Sequence, residues 1–243
     1  MKNENLFSKD VSKLEIIFCV FLPLKGVLKR AAENNFVNAL TPLKGVLKRV
    51  PFIEVKVMDS KIDSVINLNR KARDLSDQGD YNGALQSYAE ALDLLTETEY
   101  SKEQEIKALL LNNIGHAQVA IGDFDKALDS FNKSAALYHV LDDMLGVGQQ
   151  FGNVGSVYRD KGMWDAARVS YDKALSAFKL KGYMPGLADQ YSNIGYICVQ
   201  KKDFDSALEW FYKAKALYEE MNLVERARLV EKNISELSGF HKS

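Results

Sequence analysis

Apolar and small side chains recur three and four positions apart along most of the chain beyond residue 60. The clearest stripes occur in two segments, at Phe124, Ala127, Leu128 and Phe131, and at Trp164, Ala167 and Tyr171. This spacing places the side chains on one face of an α-helix and leaves the other face to polar residues. The pattern therefore predicts a series of amphipathic helices, each of which must bury its apolar face against a neighbour.

The stripes belong to a unit that recurs along the chain. Short turn motifs related to Gly-Asp-aromatic begin at Gly79, Gly122, Gly162 and Lys202, which are 43, 40 and 40 residues apart. A second motif, Asn-apolar-Gly, begins at Asn113, Asn153 and Asn193, again 40 residues apart. Two motifs that share one period indicate a single structural unit that is repeated.

Each unit is predicted to be two helices joined by a tight turn. The turn glycine can adopt the left-handed conformation that ends a helix, and the following aspartate can cap the next helix. Seven positions before each turn stands a small residue, namely Ala72, Gly115, Gly155 or Gly195. A glycine costs about 1 kcal/mol inside an exposed helix, so its recurrence predicts close packing of the paired helices at this position.

This arrangement resembles the tetratricopeptide repeat, which has a small residue in helix A, a Gly-Asp-aromatic turn, and alanines and an aromatic residue along helix B. The resemblance covers four repeats, near residues 62–98, 105–141, 145–181 and 185–221, and a fifth helix A at 224–238 that acts as a cap. It implies an all-α fold, a right-handed α-solenoid whose A helices line a concave groove. The period of 40 exceeds the usual value of about 34 and looks like the extended subclass of kinesin light chains, G-protein signalling scaffolds and bacterial peptide-sensing regulators.

The composition is that of a globular protein with a hydrophobic core and nearly balanced charge. The 243 residues are 47% hydrophobic, with 32 basic and 33 acidic side chains, which excludes disordered and collagen-like chains and disfavours nucleic-acid binding. Two distant cysteines and three histidines in separate contexts form neither a disulfide framework nor a metal motif. We therefore expect a reducing, cytoplasmic setting and no bound metal.

Membrane insertion and secretion are not predicted. The longest apolar run, 16–24, has 9 residues and contains a proline, whereas a spanning helix needs roughly 20. The run follows three lysines, as in a signal peptide, but acidic residues at Glu4, Asp10 and Glu15 interrupt them. No small-x-small cleavage site follows the run, so a signal peptide is disfavoured.

The first 59 residues form a basic extension ahead of the predicted solenoid at 60–243. Residues 1–60 carry 10 basic and 6 acidic side chains, whereas residues 61–243 carry 22 and 27. The eight-residue segment PLKGVLKR occurs twice, at 23–30 and 42–49. One explanation is a basic amphipathic segment that meets an anionic membrane surface or an acidic partner. The other, which we favour, is a recent local duplication or gene-model artefact in a loosely ordered leader.

Three asparagines are the first candidates for a binding site. Asn113, Asn153 and Asn193 occupy one position of helix A in successive repeats, although asparagine is a mediocre helix former. The resemblance implies that such an asparagine faces the groove and holds the main chain of an extended peptide. The alternative is that each amide bonds to the adjacent helix and fixes the repeat spacing. We favour peptide binding.

The repeat phase assigns further polar residues to the same groove. They are Arg70 and Arg73 in repeat one, Asn112 and His116 in repeat two, Gln149, Ser156 and Arg159 in repeat three, and Asp189, Ser192 and Tyr196 in repeat four. Their arginines are suited to acidic groups or C-terminal carboxylates of a partner. The lysine-asparagine clamp of chaperone-binding members is not reproduced, since Asn69 and Arg73 stand at its two positions in repeat one.

No catalytic or cofactor motif emerges from the sequence. The glycines at 146, 148 and 152 miss the dinucleotide-binding spacing by one residue and follow no predicted strand. Neither a Ser-His-Asp set nor metal-ligand spacing is found. The sequence therefore predicts a non-enzymatic scaffold or adaptor that binds a peptide segment of another protein. The alternative is a peptide-sensing regulator that switches an effector.

Overall fold

A computed structural model describes the backbone of residues 52–95 and 101–240. The side-chain environments considered below lie between Lys61 and Ser238. The apolar run at 16–24, both copies of the duplicated segment and residues 1–51 of the predicted leader 1–59 lie outside the described residues. The hypotheses about that leader therefore stay predictions.

The described ranges form nine α-helices and no strand. They are α1 (Phe52–Asp77), α2 (Tyr81–Leu94), α3 (Ser101–Ala120), α4 (Phe124–Val140), α5 (Met144–Asp160), α6 (Trp164–Lys181), α7 (Met184–Gln200), α8 (Phe204–Glu220) and α9 (Val224–Phe240). Helices α1, α3, α5 and α7 are the A helices of the four repeats, and each is followed by its B helix. From α3 onward each helix packs on the next, and α5 also contacts α7. The predicted all-α solenoid is confirmed.

Helix α1, the first in the described ranges, begins ten residues ahead of the predicted start of repeat one. It opens at Phe52, directly after Pro51, and a proline fits a helix well only at its beginning. The helical pattern of repeat one therefore continues towards the N-terminus beyond the part that matches the repeat. Within the described ranges, none of the helices combines the length and apolar content required to cross a bilayer.

Seven of the turns between helices share one hydrogen-bonding pattern. At the turn between α3 and α4, the Gly122 amide bonds to the Val119 carbonyl and the Asp123 amide to the Gln118 carbonyl, both at 2.9 Å. This Schellman arrangement needs a residue with positive φ. Gly79, Gly122 and Gly162 supply it as predicted, whereas the other turns use Asp142, Gly182, Lys202 and Asn222. Lys202 takes the left-handed conformation itself, with φ of 60°.

Aspartates cap several of the helices that follow these turns. The side chains of Asp80, Asp123, Asp143 and Asp203 each accept a hydrogen bond from the amide three residues further on. Such a cap satisfies one of the free amides in the first helical turn and is worth about 1 kcal/mol. The predicted capping role of the turn aspartates is confirmed, and it extends to the acidic pair before α5.

The small residues of the A helices mark the closest packing within each pair. A Cβ on Gly115 would lie 2.5 Å from the Phe131 ring, and one on Gly155 would lie 2.4 Å from the Tyr171 ring. Since real Cβ atoms do not approach so closely, a larger residue would push the two helices apart. The close packing inferred from these glycines is confirmed.

Helix α9 closes the C-terminal end of the solenoid. It buries Ala227, Val230, Ile234 and Leu237 against α7 and α8. Its exposed side chains include Glu225, Arg226, Arg228, Glu231, Lys232 and Glu236. A terminal repeat needs such a polar outer face to remain soluble.

Candidate functional site

A chain of side-chain amides runs across three successive A helices. The Asn113 Nδ2 atom donates to Asn69 Oδ1 on α1 at 3.1 Å, and Asn112 Nδ2 donates to Asn113 Oδ1 at 3.1 Å. Asn153 Nδ2 on α5 donates to Asn112 Oδ1 at 3.2 Å. We call these four asparagines the amide chain. Two of the three hydrogen bonds join neighbouring A helices, and the third lies within α3. The amide chain therefore links α1, α3 and α5.

The hydrogen bonds of the amide chain are of the kind that the alternative role of the asparagines, repeat spacing, requires. Binding of a ligand by the same side chains stays a prediction. The two roles are compatible, because each amide has two N–H donors and an oxygen with two lone pairs. The four side chains are half-buried, so part of each faces solvent. An amide that is already oriented by a neighbour loses less entropy when it binds a ligand.

His116 lies beside the amide chain. Its Nε2 atom is 3.5 Å from Asn153 Nδ2, and its ring meets Phe131 edge to face with centroids 5.1 Å apart. Although the residue keeps an exposed edge, partial burial of the ring lowers the pKa of His116 below its usual value. The neutral imidazole at pH 7 is therefore available to hydrogen-bond an amide rather than to act as a cation.

A polar pocket of about 430 Å³ lies between α5 and α7. We call it the α5–α7 pocket. It brings together six residues that the sequence assigned to the groove, namely Gln149, Asn153, Ser156, Asp189, Ser192 and Asn193. Phe178, Tyr183, Gln190 and Tyr218 complete the wall, together with Gly152 and Gly186. Asn153 belongs to both the pocket and the amide chain, so the two features are continuous.

Several polar atoms of the α5–α7 pocket are already oriented. Ser156 Oγ donates to the Gly152 carbonyl at 3.1 Å, and Asn193 Nδ2 lies 3.5 Å from Gln190 Oε1. The Ser192 hydroxyl is buried near that of Tyr218 but has no hydrogen-bond partner of good geometry. A buried hydroxyl without a partner is costly, and a bound ligand or water would satisfy it.

The only charged side chain in the wall of the pocket is Asp189. Its Oδ1 atom accepts hydrogen bonds from the Tyr218 hydroxyl at 2.6 Å and from Arg226 Nη1 on α9 at 2.8 Å. Burial, reinforced by the hydrogen bond to Asp189, raises the pKa of Tyr218 to about 12. Tyr218 therefore remains a hydrogen-bond donor at physiological pH and holds the carboxylate in place.

The remaining predicted groove residues do not join this pocket. Arg70 and Arg73 line a smaller cavity of about 380 Å³ on α1, whose wall also contains Asp74 and Asp77. Arg159 pairs with Asp160 at 2.8 Å. Tyr196 is exposed, with its ring edge towards Trp164 at a centroid distance of 6.4 Å.

Sequence reasoning missed several residues of this surface. Asn69 was weighed only against the chaperone clamp, although it stands 43 residues before Asn112 and so shares its repeat position. Gln190 is buried in the pocket wall, and Gln150 precedes it by one period. Tyr218 on α8 follows Tyr138 and Phe178 at intervals of 40 residues, and this aromatic series was the available signal. Arg226 reaches the site from α9 and had no such signal, because the equivalent residues Gly146 and Gly186 are glycines. In the described ranges, no cluster of three or more His, Cys, Asp and Glu could hold a metal ion.

These helix pairs, Schellman turns and glycine-aromatic contacts define a helical repeat solenoid. A family model described as "Tetratricopeptide repeat" matches residues 63–138 and 151–220, and the chain belongs to this family. No curated protein matches the chain.

Solved structures show the same fold at low sequence identity. BtubC (BKLC) from P. vanneervenii is 15% identical with a TM-score of 0.54, over 79% of this chain and 94% of that one. MamA is 24% identical with a TM-score of 0.51, over 80% and 95%. The apo form of RapI is 13% identical with a TM-score of 0.67, over 89% of this chain but only 57% of RapI.

Proposed function

We propose that this chain is a non-enzymatic interaction module, a scaffold or adaptor, that binds a peptide segment of a partner protein along its A helices. The observation that carries the proposal is the α5–α7 pocket, whose polar atoms include the unpartnered Ser192 hydroxyl. Membership of the tetratricopeptide repeat family supports the interaction role and its non-enzymatic character.

The chemistry of the surface favours a polypeptide main chain as the ligand. An extended peptide presents N–H and C=O groups in alternation, and asparagine and glutamine side chains can pair with both. The amide chain and the α5–α7 pocket together offer such side chains on four successive A helices, with Asn153 common to both. No lysine or arginine lines the pocket, which is unfavourable for a phosphate backbone.

The proposal is tested by selecting peptides from a displayed library of random dodecamers on the full chain. We expect the selected peptides to converge on related sequences and to bind saturably in fluorescence anisotropy. Heat-denatured protein is the control for non-specific adhesion. The proposal is wrong if no sequences are enriched, or if the enriched peptides bind the denatured control equally well.

A further inference from the structure

The α5–α7 pocket carries a single charge, and that charge is negative. Asp189 shares the wall of the pocket with neutral hydrogen-bonding groups, which include Gln149, Asn153 and the unpartnered hydroxyl of Ser192. A lysine or arginine side chain brings several N–H donors together with a positive charge. Such a group could pair with the carboxylate and satisfy the neutral acceptors around it, whereas an acidic group would be repelled.

The carboxylate is held ready for such a contact. The Tyr218 hydroxyl bonds to Asp189 Oδ1 at 2.6 Å, and the Tyr218 side chain is buried in the core cluster formed by α6 to α9. A recognition group that is fixed by a buried neighbour binds with less loss of entropy than a free one. Tyr218 thus acts as a positioning residue for Asp189.

Arg226 departs from the repeat pattern, because the equivalent residues in the preceding repeats are glycines. The residues 40 and 80 positions earlier are Gly186 and Gly146, where a Cβ would lie 2.7 Å from Phe178 and 2.5 Å from Tyr138 respectively. In α9 the position carries an arginine whose guanidinium lies 5.9 Å from the Tyr218 ring and pairs with Asp189.

The Arg226 contact is easily displaced. Its side chain is 53% exposed, and an ion pair of that exposure contributes only about 0–1 kcal/mol because water and salt screen it. Arg226 therefore places a guanidinium beside Asp189, in competition with any basic group that enters the pocket. A bound cation would release it to solvent at little cost.

We propose that the α5–α7 pocket accepts a lysine or arginine side chain of the bound segment, with Asp189 as the counterion and Arg226 as an internal competitor. This inference rests on the peptide binding proposed above. It specifies that the ligand side chain is basic. It also identifies the contact between Arg226 on α9 and Asp189 as one that lowers the affinity for that side chain. The net acidic charge of residues 61–243, with 22 basic and 27 acidic side chains, also favours approach of a basic segment.

The test uses the sequences of the peptides selected on the full chain and their affinities for variants. We expect lysine or arginine to be enriched at one peptide position. Changing that residue to glutamine should weaken binding to the wild type about tenfold or more, the value of a charge-assisted hydrogen bond. Asp189→Asn, which can still accept from Tyr218, should bind the basic and glutamine peptides equally.

Arg226→Gln tests the competitor. It should tighten binding of the basic peptide about 1.5- to fivefold and leave the affinity for the glutamine peptide unchanged. Arg228→Gln is the matched control, because Arg228 lies on the same helix and pairs only loosely with Glu225 at 3.8 Å. Thermal melts establish that each variant is folded.

The outcomes separate this inference from the proposed function. Peptides that converge without a basic position, or an Asp189→Asn variant that keeps the full preference for the basic peptide, overturn the inference and leave peptide binding intact. An unchanged affinity in Arg226→Gln contradicts the competitor role. A library that yields no enriched peptide overturns the proposed function as well.

Discussion

Replacing Ala127 by aspartate is expected to destabilise the protein by about 3 kcal/mol or more. The Ala127 side chain is fully buried on α4, in a cluster with Phe131, Val154 and Val157. An aspartate there would enter the packed interface between consecutive repeats without a partner for its charge. Because each repeat is stabilised by its neighbours, the loss should spread beyond α4.

The matched control is Ala136→Asp, since Ala136 lies on the same helix but is exposed. It should cost about 1 kcal/mol or less, which reflects helix propensity alone. Urea unfolding followed by far-UV circular dichroism measures both variants. Equal losses of stability would contradict the packing of α4 between α3 and α5.

Replacing Asn113, Asn153 and Asn193 together with alanine is expected to abolish binding of the selected peptides and to leave the helices intact. Asn113 and Asn153 belong to the amide chain, and Asn153 and Asn193 line the α5–α7 pocket. The substitutions break all three hydrogen bonds of the amide chain. Each is worth about 1 kcal/mol, so the stability loss should be about 3 kcal/mol. The loss of binding should be at least tenfold, because several ligand hydrogen bonds disappear at once.

The control for this variant removes three amides from the exposed surface of the B helices. The residues are Asn82, Gln86 and Asn132, all of which are exposed. Their replacement by alanine should change neither stability nor peptide affinity appreciably. A triple Asn113, Asn153, Asn193 variant that loses its helical signal would assign these amides to repeat spacing alone. One that keeps full affinity would exclude them from the binding surface.

The fold could be predicted because its rules act within one repeat. The aspartate caps and the glycine turns follow from residues a few positions apart, and the glycine-aromatic contacts join residues 16 positions apart within one repeat. The predicted repeat bounds leave breaks at 142–144 and 222–223. The positive φ of Asp142 and Asn222 was not predicted, because these residues tolerate it but do not require it. Lys202 shows that the repeat geometry can impose this conformation on an unfavourable residue.

The candidate site could be predicted only in part. The repeat period identified the face of the A helices that carries the site, and six residues predicted on that face line the α5–α7 pocket. The phase does not give the reach of side chains from other helices, so the engagement of Asp189 by Tyr218 on α8 and Arg226 on α9 was not foreseen. Nor could the sequence decide whether Asn113 bonds to a neighbouring helix, because an amide serves both purposes.

The most direct test of the account locates the peptide on the protein. A photoreactive side chain is placed at Gln149, which is exposed at the pocket, or at Asn132, which is exposed on α4. Each protein is irradiated with the highest-affinity selected peptide, and the cross-linked products are measured by mass spectrometry. We predict cross-linking from position 149 and none above background from position 132. Cross-linking from position 132 alone would contradict peptide binding along the A helices.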